Sequence, residues 1–412
     1  MSIKCIISTG QGRLHLIQSA VALKEQGATV KVITGWIPGK LFSNGIVDTM
    51  GRLVGRKNLS YGLRKRTPAH LDRAELRSCG FSEFYLQFLY MLTRKKWMVY
   101  DRAARMGWNS FCADSKKYIN DSQIFHVRSG AGRAGAIQKA RKEGMKVVVD
   151  HSIAHPHELK AQLGKIYGQN DQSKYTNLGD DFWNLVLQDC YDADIVLVNS
   201  DYVKETFVER DFPAEKIRVV HLGIDNSFHS LKKHYESNRI KLLFTGTFGI
   251  RKGALLIIEA ARILLEKNVS FDLHIIGNVA NDVAIPAWFR DNEHITLHGH
   301  MSQDEMKLFL AESDIYIFPS YVEGAAQSAK EAMAAGLPVI TTRNSGAPIT
   351  HRENGYLIPD DNAAALADAI ITLNGDKELR KQMGENASVT IRDEHTWSNY
   401  GKEVVAMYKS LI

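Results

Sequence analysis

The sequence predicts an α/β protein made of two doubly wound halves. Short β-rich runs alternate with helical patterns from the first residues onward, and the alternation restarts after residue 240. Residues 225–239, DNSFHSLKKHYESNR, are polar and irregular, as a linker is. The 412 residues exceed what one hydrophobic core serves. The expected domains are 1–228, joined by a C-terminal helix over 395–412, and 229–394.

The first half opens with KCIIS, a turn at Thr9-Gly10-Gln11-Gly12, and a helical pattern carrying Leu14, Ile17, Val21 and Leu23 up to Gly27. TVKVI follows, which completes a strand–helix–strand unit of a parallel sheet. The GQG turn lacks the full GxGxxG spacing, so it is weak support for a dinucleotide site. Residues 36–120 break the rhythm. Within them, 82–100 (SEFYLQFLYMLTRKKWMVY) reads as one helix whose aromatic residues adjoin Arg94, Lys95 and Lys96, either a core helix with a snorkelling end or a membrane-surface helix. The rhythm returns with QIFHVR, the turn SGAGR, a helix through Lys139-Ala140-Arg141, and MKVVVDH. Ligands of parallel sheets gather beyond the carboxyl ends of strands, which makes His151 a candidate. His155 and His157 lack a third ligand at metal spacing. DIVLVNS is another buried strand, and residues 216–222 read as the last strand of this half.

The second half begins with the strand 240–244, the loop TGTFGIRKG and a helix over 254–267 with Leu256, Ile257, Ala260, Ile263 and Leu264 in a stripe. Strands FDLHIIG and ITLHGH follow. Ser302 and Glu305 form a predicted capping box at the start of the next helix. Residues 315–338, IYIFPSYVEGAAQSAKEAMAAGLP, then give a strand, a loop and a small-residue helix, with Glu323 in the loop and Glu331 in the helix. A strand turning through Gly into a helix offers backbone N–H groups to phosphate. Arg251 and Lys252, before another helix start, suit a diphosphate. VITT, NGYLIP and helical patterns over 362–374, 377–391 and after Trp397 close the chain.

Composition is that of a soluble globular protein, with 44% hydrophobic and 24% charged residues. Four scattered cysteines without a CxxC pair suggest neither a disulfide framework nor a zinc site and fit a reducing cytoplasm. No apolar run approaches the ~20 residues of a spanning helix, and the N-terminal run is too short for a signal peptide. The net charge of +6 is uneven: residues 51–110 hold thirteen cations and four acids. Such a concentration bears on partners rather than fold.

GTFGIRKG, IIGN, LHGHMSQDEM, FPSYVEG and the eight-residue spacing of Glu323 and Glu331 together resemble the retaining GT-B glycosyltransferases of the large family four, marked by a Glu-x7-Glu motif. The resemblance is strong over 240–375 and weaker in the N-terminal half. It implies two Rossmann-like doubly wound domains facing a central cleft, with the last helix crossing back to the N-terminal one. Glu331 would bind the ribose hydroxyls and Glu323 would face the donor sugar and diphosphate. Arg251 and Lys252 would neutralise the leaving diphosphate. Backbone N–H groups of Gly324, Ala325 and Ala326 would hold sugar or phosphate, and Gln327, closing the Gly-Ala-Ala-Gln run, would bear on which sugar fits. His151 would bond the sugar near the reacting carbon, and Gly10 and Gln11 would lie under the diphosphate. Gly246 would belong to the donor loop, and the backbone at Gly299 would meet the base. Gly10-Gln11 replaces the usual Gly-Gly, Thr247 stands where many members have Arg, and Gly-Ala-Ala-Gln replaces Gly-Phe-Gly.

The expected function is transfer of a sugar from a nucleotide sugar, UDP-linked before GDP-linked, to a glycan or lipid-linked acceptor in cell-surface polysaccharide or lipopolysaccharide synthesis. No metal and no other cofactor is expected, because side-chain cations stabilise the leaving group. The partners are the donor, the acceptor and an anionic membrane surface met by residues 51–110, at the inner face of the membrane. Nucleic acid is not an expected partner. The alternatives are a nucleotide-sugar epimerase, sugar transfer to nucleic acid, and an inactive binding subunit.

Overall fold

A computed structural model of the chain describes residues 2–10, 12, 15–37, 49, 70–167, 178–232 and 239–412. Its contacts divide the chain into two compact units. One is Met1–His151 with Asn177–Leu197 and Gly401–Ile412, and the other is Ser152–Thr176 with Val198–Tyr400. This division differs from the boundary expected at 228/229. Physical ties explain the difference. Lys330 Nζ donates to Leu222 O at 2.7 Å, and Phe228 is buried in the second unit's core.

The first sheet contains β1 (Lys4–Ser8), β2 (Thr29–Thr34), β3 (Leu76–Ser78), β4 (Ile124–Arg128), β5 (Lys146–His151), β6 (Ile195–Val198) and β7 (Ile217–Val219). Their order is β3-β2-β1-β4-β5-β6-β7. The registered pairings are parallel, with Cys5 opposite Val30 on one side and Ile124 on the other. Parallel strands are covered on both faces, which is why these runs are almost continuously apolar. β7 is shorter than expected from sequence. β3 was not foreseen: three residues, LRS, carry no periodicity, and only the register of Val32 with Leu76 fixes them as a strand.

Helix α1 (Leu16–Glu25) buries Leu16, Ser19, Ala20 and Leu23, so its core face is rotated from the one read in sequence, and Ile17 and Val21 are half-buried. The stretch expected as one helix over 82–100 is two, α2 (Gly80–Arg94) and α3 (Tyr100–Ser115). Lys96 takes a left-handed conformation, φ 60°, and Trp97 N–H closes back on Leu92 O at 3.0 Å, which ends α2. A Cβ at Gly107 would stand 2.3 Å from Leu86 Cδ1, so the close approach of α2 to α3 requires glycine. The remaining helices are α4 (Ala136–Lys142), α5 (Pro156–Tyr167), α6 (Asp180–Tyr191) and α7 (Asp201–Val208).

The second sheet is built from β8 (Ile240–Thr245), β9 (Phe271–Ile276), β10 (Ile295–Gly299), β11 (Ile315–Phe318), β12 (Val339–Thr342) and β13 (Gly355–Ile358), ordered β10-β9-β8-β11-β12-β13. Its helices are α8 (Ala254–Glu266), α9 (Ala287–Arg290), α10 (Gln303–Glu312), α11 (Gln327–Ala335), α12 (Ala363–Gly375) and α13 (Lys377–Glu394). The core joins Phe244, Phe248, Tyr316 and Phe318 to the apolar faces of α8, α11 and α12. The predicted capping box forms at α10, where Ser302 accepts from Glu305 N–H and Glu305 from Ser302 N–H. The last helix, α14 (Trp397–Leu411), belongs from Gly401 onward to the first unit, where Tyr408 OH lies 2.6 Å from His126 Nδ1.

Strand order reverses between β1 and β4 in one sheet and between β8 and β11 in the other. In doubly wound sheets these switch points, at the carboxyl ends of the strands, are where ligands bind.

Candidate functional site

At the switch point of the second unit, the loops leaving β8 and β11 carry most of the predicted site residues. The two loops are stitched together. Arg251 O accepts from Tyr321 N–H at 2.9 Å and from Ser320 Oγ at 3.1 Å. Gly253 occupies φ +84°, and a Cβ there would lie 2.2 Å from Pro319 O. Behind them, Glu323 N–H donates to Asn344 O and Asn344 Nδ2 to Tyr321 O, at 2.9 and 3.0 Å.

This stitching converges three charges. Arg251 Nη1 lies 2.7 Å and Lys252 Nζ 3.0 Å from the same oxygen, Glu323 Oε1. Arg251 Nη1 also donates to Val322 O at 2.8 Å, and Lys252 Nζ sits 4.8 Å over the Phe318 ring. Burial by itself would push the Glu323 carboxyl up, but the two adjacent cations outweigh it and hold it below its usual value. The triad carries a net positive charge, and its cations are kept in place before any anion arrives.

Glu331 stands in the second turn of α11, half-buried. Burial pushes its carboxyl up to about 7, opposed by the neighbouring Lys330. Lys330 is fully buried and its amine is pushed down to about 7 by that burial. Gly246 has φ +126°, and its N–H donates to Ile276 O at 2.8 Å. Gly299, φ +73°, gives its carbonyl to Gly277 N–H at 2.7 Å and has open space where a side chain would be.

One expectation is corrected here, that of the Ala326 N–H. Ala326 N–H donates to Ser345 O at 2.9 Å, so it is engaged within the protein. Gly324 makes room for backbone: a Cβ would lie 2.0 Å from Ser152 O, while its carbonyl accepts from Ser200 Oγ at 2.5 Å. Among the described residues, the N–H groups of Gly324 and Ala325 have no acceptor within the protein. Ala325 and Gln327 are half-buried, and the buried Gln327 Oε1 has no partner among the described residues.

The first unit holds His151 and Gly10, while Gln11 lies outside the described residues. His151 ends β5, buried, with Nδ1 2.9 Å from Ser129 Oγ. Gly10 has φ +66°, and a Cβ there would meet the Trp108 ring at 3.0 Å, so packing alone demands glycine. Sequence reasoning missed the buried carboxylate beside His151. Asp150 Oδ2 lies 3.0 Å from His15 Nε2 and 3.6 Å from His126 Nε2. Burial would raise that carboxyl, but the two imidazoles hold it well below the usual range. The SGAGR turn is also explained: Asp189 Oδ2 accepts from Gly130 and Gly132 N–H at 2.7 and 2.8 Å, so this loop's donors serve the fold.

Among the described residues, no three or more His, Cys, Asp and Glu are placed to hold a metal ion. His155 Nδ1 instead accepts from His157 N–H at 3.1 Å. A separate cavity in the second unit, about 530 Å³ and lined by Tyr202, His221, Arg343 and His395 among others, contains none of the predicted residues.

Paired cations and a carboxylate at a doubly wound switch point are the groups that suit a phosphorylated ligand. Residues 227–390 match the family described as glycosyl transferases group 1. The chain is 33% identical over 284 residues to the amylovoran biosynthesis glycosyltransferase AmsK of Erwinia amylovora, 64% of this chain and 63% of that one. It is 25% identical over 239 residues to the capsular polysaccharide biosynthesis glycosyltransferase CapM of Staphylococcus aureus, 53% of this chain and 62% of that one. The chain thus spans less than two thirds of the length of these curated relatives. Among solved structures, sucrose-phosphate synthase of Thermosynechococcus elongatus aligns with TM-score 0.67 at 16% identity, over 100% of this chain and 99% of that one. Anabaena HepE in complex with UDP aligns with TM-score 0.63 at 13% identity, over 100% of both. The fold is GT-B.

Proposed function

We propose that the chain is a retaining glycosyltransferase. It moves a sugar from a nucleoside-diphosphate sugar to a glycan or lipid-linked acceptor in cell-surface polysaccharide or lipopolysaccharide synthesis. UDP-sugars are the first expectation and GDP-sugars the second. The observation that carries this reading is the meeting of Arg251 and Lys252 on Glu323 at the switch point of the group 1 region. The polysaccharide relatives and the UDP-bound HepE support the acceptor class and the nucleotide.

In this reading, cleavage of the glycosyl–phosphate bond leaves charge on the diphosphate. Arg251 and Lys252 stabilise that charge, fixed in advance so that little reorganisation is needed. Gly324 and Ala325 N–H groups add donors at the start of α11. Glu331 accepts the ribose hydroxyls, and His151 bonds the sugar near the reacting carbon. Transfer occurs on one face, with the leaving phosphate taking the acceptor's proton. The cations belong to side chains, so transfer proceeds without a divalent metal and persists in EDTA.

Lys252→Ala tests the assignment. Removing a preorganised cation should cut turnover about 10²–10³-fold, with the circular dichroism spectrum and melting profile unchanged. Turnover equal to the parent's would refute the role of the triad.

A further inference from the structure

Helix α2 buries one face and leaves a second, apolar face largely exposed. Ser82, Glu83, Leu86 and Leu89 are buried. At 100° per residue, Phe81, Phe84, Phe88 and Met91 fall on the opposite side, and they are 79%, 60%, 52% and 46% exposed. Just past the helix end, Trp97 and Val99 are 77% and 73% exposed. A contiguous apolar stripe of this kind marks an interaction surface rather than a scatter of surface residues.

The charge around the stripe identifies its occupant. Arg94, Lys95 and Lys96 are exposed where α2 ends, and none pairs with an acid among the described residues. From Phe84 to Tyr100 the sequence contains no Asp or Glu. A second copy meeting this face would bring more unpaired cations and no acid to match them. An aromatic and aliphatic stripe with Trp at its border and cations at one end matches the acyl–headgroup boundary of an anionic bilayer.

We infer that α2 and the turn after it, residues 81–99, form a docking surface for an anionic lipid bilayer. Phe81, Phe84, Phe88 and Met91 enter the interface, Trp97 lies at headgroup level, and Arg94, Lys95 and Lys96 pair with lipid phosphates. No helix among the described residues is long and apolar enough to cross a membrane. The association is therefore placed on one leaflet through this surface. It does not depend on the donor chemistry, because vesicle binding is measured on the protein alone.

The experiment is flotation of the full chain with vesicles of phosphatidylcholine containing about one third phosphatidylglycerol, against phosphatidylcholine alone. At 50 mM salt the protein should float with the anionic vesicles and be released at 500 mM. Phe84→Glu with Phe88→Glu should lower partitioning at least tenfold. Each cation replaced by Gln should lower it about fivefold. Phe84 also meets the Trp36 ring, with centroids 5.7 Å apart, so Phe88→Glu alone is measured beside the double variant and should melt as the parent does while still lowering partitioning. Brominated lipid should quench the Trp97 emission, a signal that Trp97→Phe removes. Absence of flotation on anionic vesicles at 50 mM salt overturns the inference. So does unchanged partitioning of the double Phe variant. Concentration-dependent dimers in sedimentation without lipid, lost in that same variant, would assign the face to a second copy and equally overturn it.

Discussion

Glu331 combines partial burial with a carboxyl pushed up to about 7, and that gives it a testable pH signature. Ribose hydroxyls donate best to an ionised carboxylate, so binding favours the deprotonated form. Affinity for a nucleotide sugar, whose diphosphate does not titrate near neutrality, should rise about tenfold from pH 6 to pH 8. In Glu331→Gln the affinity falls and the pH dependence disappears. Isothermal titration calorimetry measures both. Equal slopes in parent and variant would remove Glu331 from the ribose. At this scale the sequence was readable where chemistry imposes residue type and spacing, as with Arg251, Lys252 and Glu323, which the structure brings together. It was not readable for Asp150, whose significance lies in meeting His15 and His126 from distant parts of the chain, at 3.0 and 3.6 Å. Nor did Lys330 show itself, since a lysine in a polar-looking helix turn gives no sign that its ammonium is fully buried.

The elements that position the site are loops, and their rigidity comes from close backbone approaches. Gly253 and Gly324 leave no room for a side chain: Gly253 has a left-handed φ beside Pro319 O, and Gly324 abuts Ser152 O. Gly253→Ala should cost at least about 2 kcal/mol from the left-handed conformation and the clash. That corresponds to a fall in Tm of roughly 4–8 °C by calorimetry. A Tm within 1 °C of the parent's, on the order of experimental scatter, would mean the two loops are not held as described. Loop chemistry also explains the misjudged N–H of Ala326. Sequence shows a Gly-Ala-Ala turn before a helix, but only the arrangement of residues 341–346 shows that Ser345 O already takes Ala326 N–H. Likewise, the periodicity of 82–100 continues through the turn at Lys96, because the left-handed residue there is not glycine and carries no turn signature.

Across the whole molecule, the α/β class and the two doubly wound sheets were legible, because buried parallel strands write themselves as apolar runs separated by helical periods. The edge strand β3 and helices α3 and α6 were less so: a three-residue edge has no period, and the helices share residues between core and charged surface. The domain limits were the least legible. Tertiary ties such as Lys330 to Leu222 O override the polar composition that makes 225–239 look like a boundary. The proposed chemistry is activation of a nucleotide sugar, at the site of the second unit, for retaining transfer without a metal. The most direct measurement is proton NMR of the glycoside formed from an α-linked UDP-sugar in the presence of EDTA, with released nucleotide quantified alongside. The expected result is an α-linked product, one nucleotide per sugar transferred, and loss of both signals in Lys252→Ala. A β-linked product, a requirement for divalent metal, or no nucleotide released from any UDP- or GDP-sugar by the folded protein would contradict it.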